Sequence, residues 1–270
     1  MYSTEELKEI AKSVRRGILE QVYTAKSGHP GGALSCTDIL TAIYFNLANV
    51  EPNNPQKADR DRVILSKGHA SAALYSVLAH RGYFDLEELK TFRKLHSKLQ
   101  GHPSLGKLPG VDMTSGSLGQ GLSVANGIAL AEKMDNSGYY TYVILGDGEI
   151  EEGQIWEAAM SAAHYKLNKL IVFVDNNGLQ IDGKITEVNS PTPIKEKFDA
   201  FGFNTIEIDG HNFDEIQDAV KKAKESIEKP TAIIARTVKG KGVSFMENQV
   251  GWHGKAPNDE QYNEAIGELV

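Results

Sequence analysis

Short apolar runs alternate along the chain with longer stretches in which apolar residues recur at helical spacing. The runs read RVIL, YTYVIL, LIVFV, NTIEI and TAIIA, and the first helical stretch follows a capping pair formed by Ser3 and Glu6. Apolar strands that alternate with helices are typical of a parallel sheet covered on both faces. We therefore predict an α/β fold, doubly wound, with a mostly parallel sheet and helices on both faces, formed by residues 1–270 as a single domain.

Start and stop signals give approximate bounds for the helices. The first helix should run from Ser3 to about residue 25, where the glycines and proline of SGHPGGALS should interrupt the helical pattern. A second helix should start at Ser35 and reach about Asn46. Later helices are expected at about 70–80, from Asp85, at 118–134, after Ile150, near 194–201 and over 213–228.

The composition of the 270 residues is that of an ordinary globular protein, with 40% hydrophobic and 24% charged residues. A net charge of −7 provides no basic footprint for nucleic acid or an anionic membrane. Cys36 is the only cysteine, so the chain cannot form an internal disulfide. The N-terminus lacks an apolar signal core, and no apolar run approaches the ~20 residues that span a bilayer. We therefore expect a cytoplasmic protein that binds neither nucleic acid nor membrane.

Oxygen-rich side chains follow two of the predicted strands. Asp147 comes shortly after YTYVIL, and Asn177 comes shortly after LIVFV. Strands of successive units often lie side by side, and ligands bind beyond their carboxyl ends, so we expect Asp147 and Asn177 to face one gap. Their oxygens suit Mg²⁺, although Ca²⁺ or Mn²⁺ could replace it. The sequence therefore predicts a metal site formed by Asp147, Asn177 and the backbone carbonyl of Leu179.

The acidic turn ILGDGEIEEGQIWE places four carboxylates within six positions. Mg²⁺ prefers to share its coordination sphere with phosphate and water, and the helix start after Gly148 offers backbone N–H groups to an anion. A bound cation would therefore neutralise the repulsion between a phosphate and this turn. We interpret Glu149 and Glu151 as first-turn acids, which the helix dipole stabilises by ~0.3–1 kcal/mol each.

Four of the eight histidines lie in glycine-containing loops, at His29, His69, His102 and His253. Their spacing matches no zinc site. A single loop histidine usually bonds to nearby backbone, but four beside a phosphate and metal site indicate a pocket that binds hydroxyls and moves protons near neutral pH. We interpret the other four as structural, three of them on predicted helices and the last after a strand: His80, His96, His164 and His211.

The loop TSGSLGQG, at residues 114–121, has glycines that would let a flat ring or a phosphate approach the main chain. It does not follow the GxGxxG pattern with a distal acid, which disfavours a nicotinamide dinucleotide. The chain also lacks a Walker sequence.

Several motifs together resemble the N-terminal, thiamine-diphosphate-binding domain of transketolase. GDG followed after 27 residues by NN resembles the thiamine-diphosphate motif, and KSGHPGG, LSKGHA, GHP, TSGSLGQGL, DNNGLQIDG and WHGKAP occur in the family's order. The resemblance runs from about residue 10 to residue 260. It implies thiamine diphosphate as the cofactor, with Asp147, Asn177 and Leu179 as metal ligands.

The resemblance also implies roles for other motif residues. His29, His102 and His253 resemble residues that hold sugar hydroxyls, and His29 and His253 would assist proton transfer. Glu152 resembles a buried carboxylate that meets its symmetry mate and couples two active sites. The residues expected to contact the diphosphate, the rings or the thiazolium of the cofactor are His69, Gly116, Ser117, Leu118, Gly148, Asn177, Ile181 and His253.

The implied reaction is transfer of a two-carbon ketol unit from a ketose phosphate to an aldose phosphate. Transketolases have two further domains, which carry the pyrimidine-binding site, the activating glutamate and basic residues for the sugar phosphate. This chain stops at YNEAIGELV, where the first domain would end. We therefore predict the N-terminal subunit of a split transketolase, active only with a C-terminal partner subunit in an α2β2 assembly, in preference to a truncated chain.

Two alternatives remain open. The first is a subunit of another thiamine-diphosphate enzyme, such as a 2-oxo acid dehydrogenase alpha subunit or a deoxyxylulose-phosphate-synthase-like protein. Dehydrogenase alpha subunits share the GDG–NN site but not SGHPGG together with WHGKAP. The second is a non-catalytic module that binds the cofactor or a sugar phosphate, in which four pocket histidines would have no proton to transfer.

Overall fold

A five-stranded parallel sheet forms the centre of the computed structural model, which describes all residues from 1 to 270. The strands lie in the order β1-β2-β3-β5-β4, and every neighbouring pair is parallel. The predicted doubly wound α/β fold is confirmed. The strand bounds are Arg62–Leu65 for β1, Thr141–Gly146 for β2, Leu170–Asn176 for β3, Asn204–Asp209 for β4 and Thr231–Arg236 for β5.

Hydrophobic residues cover both faces of this sheet. Successive strand residues point to opposite faces. In β2, Tyr142 and Ile144 pack into a cluster of 48 buried residues, whereas Val143 and Leu145 pack into a second cluster of 20. The strands β1, β2, β3 and β5 therefore read as mostly apolar runs because both faces of the sheet are covered there. The edge strand β4 differs, since Asn204, Glu207 and Asp209 are exposed.

Ten α-helices surround the sheet. The first, α1, starts at the predicted capping box of Ser3 and Glu6 and is followed by a left-handed Lys26. Their bounds are Thr4–Ala25 (α1), Pro30–Ser35 (α2), Thr37–Ala42 (α3), Ser71–Arg81 (α4), Gln120–Asp135 (α5), Gly153–His164 (α6), Ile185–Val188 (α7), Ile194–Ala200 (α8), Phe213–Lys224 (α9) and Asp259–Glu268 (α10). One-turn 3₁₀ helices lie at Gly68–Ala70, Glu149–Glu151 and Val250–Trp252, and a longer one spans Leu86–Thr91.

Three local predictions are wrong. The segment PGGALS does not interrupt the helical pattern, because it is itself α2, with Pro30 in its first turn. The helix predicted from Ser35 therefore starts at Thr37, after Cys36, and its last turn widens into a π-helix at Ile43–Leu47. His96 lies on no helix, because it occupies a turn with a left-handed φ of 66°.

None of the helices combines the length and the apolar character that crossing a membrane requires.

Candidate functional site

A cavity of about 250 Å³ opens at the edge of the sheet where β1, β2 and β3 end. Lys67, Asp147 and Asn177 follow these three adjacent strands and line the cavity together. Asp147 and Asn177 thus face one gap, as the strand pattern predicted. The other predicted residues that line it are His29, His69, His102, Gly116, Leu118, Gly148, Leu179, Ile181 and His253.

Two predicted residues do not line this cavity. Ser117 is exposed between Gly116 and Leu118, and Glu152 is exposed beside Gly119, where a Cβ would lie 3.0 Å from the Glu152 Cβ. The expected contact of Glu152 with a symmetry mate concerns an assembly of chains, so it stays a prediction.

Asp147 contributes a buried carboxylate that forms no ion pair within the chain. Its Oδ1 accepts the Gly148 N–H at 2.8 Å, and its Oδ2 accepts the Gly178 N–H. Burial, and then the charge of Asp175, raise the pKa of Asp147 to about 7. A divalent cation would offset both effects, so this carboxylate suits a metal site.

The other predicted metal ligands lie in the turn at 177–179. The Asn177 Oδ1 accepts the Leu179 N–H at 3.2 Å, and the Leu179 carbonyl accepts from the Lys239 ammonium at 3.3 Å. The chain has no cluster of three or more His, Cys, Asp or Glu side chains suited to a metal. A metal here would therefore bind amide and carbonyl oxygens beside one carboxylate, a donor set that fits Mg²⁺ when water or phosphate completes it.

A buried ion pair supports the floor of the cavity. The Lys67 ammonium donates to Asp175 and, at 2.7 Å, to the Gly32 carbonyl. Asp175 also accepts hydrogen bonds from Ser35 and Thr237. Burial alone would disfavour both charges, but their attraction outweighs it, so the pKa of Lys67 is raised and that of Asp175 is lowered. The pair is therefore fully hydrogen-bonded and charged.

Three histidine rings form a triangle over the cavity. The ring centroids of His29, His69 and His253 lie 5.2 to 5.4 Å apart. The fourth, His102, packs against Gly116, where a Cβ would lie 3.5 Å from its Cγ. The predicted histidine pocket therefore exists as a geometric arrangement.

The four histidines of the cavity have lowered pKa values and are neutral at pH 7, whereas we expected them to gain and lose protons near that pH. Burial and then the charge of Arg93 lower the pKa of His29 to about 4. Burial and then Lys239 lower the pKa of His253 to about 3, and burial also lowers the pKa of His69 and of His102. Neutral imidazoles exchange hydrogen bonds with hydroxyl groups, and a bound anion would raise these pKa values.

Glu149 lies in the first turn after Gly148, as we predicted, but it also forms buried hydrogen bonds that the sequence did not indicate. Its carboxylate is buried and accepts hydrogen bonds from Ser66, from the Gly119 N–H at 3.0 Å and from the Gly146 N–H at 3.0 Å. It therefore ties the ends of β1 and β2 to the glycine loop before α5. Glu151 is half-exposed and accepts from the Gln180 amide at 2.9 Å, so it too bonds a side chain across the site.

Three comparisons with known proteins bear on this geometry. The sequence profile of the family described as transketolase, thiamine diphosphate binding domain, matches residues 7–267. The chain belongs to the transketolase family. It is 45% identical to a 6-deoxy-6-sulfo-D-fructose transketolase subunit from a Clostridium species, with 98% of this chain and 96% of that one aligned. It is 43% identical to an apulose-4-phosphate transketolase subunit from Phocaeicola vulgatus, covering 94% of this chain and 90% of that one.

Solved transketolase structures share the fold as well. Transketolase from Campylobacter jejuni superimposes with a TM-score of 0.92 at 38% identity over 99% of this chain, but the chain spans only 43% of that protein's length. The predicted family and transferase class are confirmed, and the two similar subunits show that transketolase chains of this size exist.

Sequence reasoning missed four charged residues of this transketolase domain. Lys67 and Asp175 stand directly after apolar strands, the same signal that identified Asp147. Lys239 follows β5 in VKGKG, and its ammonium contacts His253 Nδ1 at 3.0 Å. Arg93 carried no local signal, because its contact with His29 joins loops that are far apart in the sequence.

Proposed function

We propose that this chain is the N-terminal subunit of a split transketolase, with residues 1–270 forming one domain that binds thiamine diphosphate and a metal. With its partner it transfers a two-carbon ketol unit from a ketose phosphate to an aldose phosphate. The observation that carries the proposal is a single cavity that joins the oxygens of Asp147, Asn177 and Leu179, the buried ammonium of Lys239 and four histidines.

The cofactor end of the cavity lies over the strand ends. Asp147, Asn177 and the Leu179 carbonyl would hold Mg²⁺, or Ca²⁺ or Mn²⁺ in its place. When bound, thiamine diphosphate supplies the carbon nucleophile that carries the two-carbon unit. The close contact between residues 148 and 180 requires glycine at Gly148, because a Cβ there would lie 2.9 Å from the Gln180 Cβ. Glycine is also favoured at Gly116, because its φ is 155°.

Positive charge in the cavity matches an anionic ligand. Lys239 is buried, and burial and then Lys67 lower its pKa to about 8, so it is still mostly protonated at neutral pH. Together with the partly open His69 and the main chain at Gly148, it would donate hydrogen bonds to a diphosphate. Ile181 is 61% exposed at the rim, where it would cover a bound ring, with Ser117 and Leu118 on the opposite loop.

At the sugar end, His29, His102 and His253 would bind the hydroxyl groups of the ketose and the aldose. His29 and His253 would also move protons between sugar oxygens, and His253 would reach the diphosphate. Their neutral rings each provide one donor and one acceptor, which is the pairing that a hydroxyl group needs.

The remaining parts of the active site would come from a second chain. We propose a C-terminal transketolase subunit that carries the pyrimidine-binding domain, the activating glutamate and the phosphate-binding basic residues, in a cytoplasmic α2β2 assembly. Glu152, exposed in the single chain, would be buried where two copies meet. The partners of the complex are sugar phosphates, with no role for nucleic acid or membrane.

The test is reconstitution. The chain is purified alone, mixed with the subunit that resembles the remaining transketolase domains, and assayed for transfer from xylulose 5-phosphate to ribose 5-phosphate with thiamine diphosphate and Mg²⁺. We expect activity only in the mixture and only with both cofactors. Full activity of the isolated chain, or a mixture that binds the cofactor but is inactive with xylulose 5-phosphate and with the two other ketoses named below, would contradict the proposal.

The sugar preference is a separate question. The two similar subunits carry names that specify 6-deoxy-6-sulfofructose and apulose 4-phosphate. Both ketoses should therefore be assayed as donors beside xylulose 5-phosphate, with the same acceptor and the same complex. The donor with the highest kcat/KM identifies the substrate class, and cleavage of none of the three would remove the ketose assignment.

A further inference from the structure

Arg93 stands directly behind His29, on the side of the ring away from the cavity. Its Nη2 contacts the His29 Nδ1 at 3.4 Å, a long hydrogen bond. Arg93 does not line the cavity, whereas His29 does. The opposite edge of the imidazole, Cδ2 and Nε2, lies beside Gly254, where a Cβ would be 3.5 and 3.7 Å away from these two atoms. Nδ1 faces Arg93, whereas Nε2 has no hydrogen-bond partner within the chain, so Nε2 is the nitrogen that is available to a ligand.

The guanidinium is held in this position from several sides. Its Nη1 donates to the Ser27 hydroxyl at 3.1 Å, and the Arg93 N–H donates to the Leu99 carbonyl at 2.9 Å. Gly101 lies against the guanidinium, since a Cβ there would be 3.1 Å from Cζ. Arg93 also adopts a left-handed φ of 59°, and its buried Nε has no partner. In this position the Nε–H of Arg93 lacks an acceptor, whereas Nη2 contacts His29.

We propose that Arg93 fixes both the orientation and the tautomer of His29, so that a neutral ring presents an Nε2–H donor to the cavity. A guanidinium donates hydrogen bonds and cannot accept one, so the nitrogen that faces it must carry a lone pair. The remaining proton of the neutral ring then sits on Nε2. Rotating the ring by half a turn would place a carbon against Arg93 and lose the contact.

The positive charge of Arg93 also favours the neutral form of His29. Burial first, and then Arg93, His102 and Lys239, lower the pKa of His29, so the imidazolium does not form at neutral pH. The other rings that face His29 are His69 and His253, and both also have lowered pKa values. In the chain without a ligand, His29 is thereby a neutral hydrogen-bond donor, suited to an oxygen on which negative charge develops. Arg93 is a positioning residue, and only the identity of that oxygen, a sugar oxygen, rests on the proposed function.

The direct test is the protonation pattern of His29 in the full chain without its partner. Long-range ¹H–¹⁵N correlation on ¹⁵N-histidine-labelled protein distinguishes the protonated ring nitrogen from the unprotonated one, and His29→Asn assigns the signals. We expect an unprotonated Nδ1 and a protonated Nε2 at pH 7. Because the unmodified chain shows which nitrogen carries the proton, a protonated Nδ1 overturns the proposal even if Arg93→Met does not fold.

Two variants separate the role of Arg93 from that of a general positive charge. Arg93→Met removes the donor, and the His29 Nδ1 signal should move toward an averaged value while the pKa of His29 rises. Lys94→Met removes one exposed charge at the next position and should leave the pattern unchanged. An unchanged pattern in Arg93→Met would overturn the proposal.

Activity of the reconstituted complex supplies a second readout. Arg93→Met should lower kcat by about tenfold or more with little change in KM, Arg93→Lys should recover part of the loss, and Lys94→Met should match the unmodified complex. An equal loss of kcat in Arg93→Met and Lys94→Met would contradict the positioning role. An inactive unmodified complex would count against the proposed function and leave the spectroscopic result standing.

Discussion

At the scale of single residues, the electrostatics of the site depend on charges that the fold has buried. Lys67 and Asp175 are 2% and 0% exposed, and each satisfies the other. Asp147 and Lys239 lie on the same cavity without an ion-pair partner of their own. Lys67 and Asp175 therefore stabilise the protein without a ligand, whereas Asp147 and Lys239 remain available to a ligand.

Lys67→Met should destabilise the chain strongly, because it leaves the Asp175 carboxylate buried beside no cation. We expect a loss of about 3–5 kcal/mol in the free energy of unfolding, measured by urea titration. The matched control is Lys195→Met, which removes a lysine from the exposed pair with Asp199 and should have a much smaller effect on stability. Similar losses for the two variants would show that burial does not govern the pair.

The lowered pKa of His29 predicts how acid acts on stability. In the unfolded chain His29 takes up a proton near pH 6.5, whereas in the folded chain it does so only near pH 4. Its stabilising contribution is therefore present above pH 6.5 and is lost as the pH falls toward 4. When the pH is lowered from 7.5 to 5, the free energy of unfolding should thus fall less for His29→Asn than for the unmodified chain. A larger fall in the variant would contradict the lowered pKa.

At the scale of elements, the close packing of α5 on the end of β1 depends on one glycine. A Cβ at Gly121 would lie 2.2 Å from the Ser66 Oγ and 2.8 Å from the Ser66 Cα, which is backbone. Gly121→Ala should therefore cost about 1–3 kcal/mol of stability. Gly127, on the same helix, has nothing within 4 Å of a built Cβ, so Gly127→Ala should raise stability by about 0.5–1 kcal/mol. Thermal and urea unfolding of both variants measure these changes in stability. A change of the same sign and size in the two variants would contradict the account.

Glu149 joins three elements, so its hydrogen bonds can be tested as a unit. In Glu149→Gln the amide nitrogen replaces one acceptor oxygen and faces an N–H or O–H donor, which should cost about 1–3 kcal/mol. Amide hydrogen exchange at Gly119 and Gly146 should become faster. Glu151→Gln, at a half-exposed position in the same turn, should change stability by less than about 0.5 kcal/mol. Unchanged exchange at both glycines in Glu149→Gln would rule out the proposed link.

Sequence patterns predicted the elements whose causes are local. The strands β1, β2, β3 and β5 were recognisable because both of their faces are buried, and α1 because its capping box lies within four residues. The helix α2 was missed because glycines usually end helices. Here Gly31 is needed for a contact that is remote in sequence, since a Cβ there would lie 2.9 Å from the Trp252 carbonyl. Glu149 was misjudged and Arg93 was missed for the same reason. The partners of both side chains come from other loops.

At the scale of the whole molecule, the proposed complex would make this cavity one part of a larger site. The chain spans nearly all of two named transketolase subunits but 43% of a complete transketolase. The oxygens proposed to bind the metal and the four histidines lie on this chain, while the activating glutamate is proposed for the partner. Binding of the cofactor and assembly with the partner should therefore be coupled.

This coupling has a measurable consequence for thermal stability. Thiamine diphosphate and Mg²⁺ added together should raise the Tm of the mixed subunits more than the sum of the two separate effects, because each ligand completes the site of the other. Differential scanning fluorimetry with Mg²⁺, with thiamine diphosphate and with both provides the comparison. Strictly additive shifts would indicate two independent sites.

The central claim is that the turn after β2 holds a divalent ion which anchors the diphosphate. The most direct measurement is calorimetric titration of thiamine diphosphate into the assembled complex with Mg²⁺, for the unmodified chain, Asp147→Ala and Asp182→Ala. Asp182 is exposed near the rim of the same cavity, so its variant controls for the loss of one negative charge. The account predicts affinity at least about 10–100-fold weaker for Asp147→Ala and unchanged affinity for Asp182→Ala. Undiminished binding of thiamine diphosphate by Asp147→Ala would contradict it.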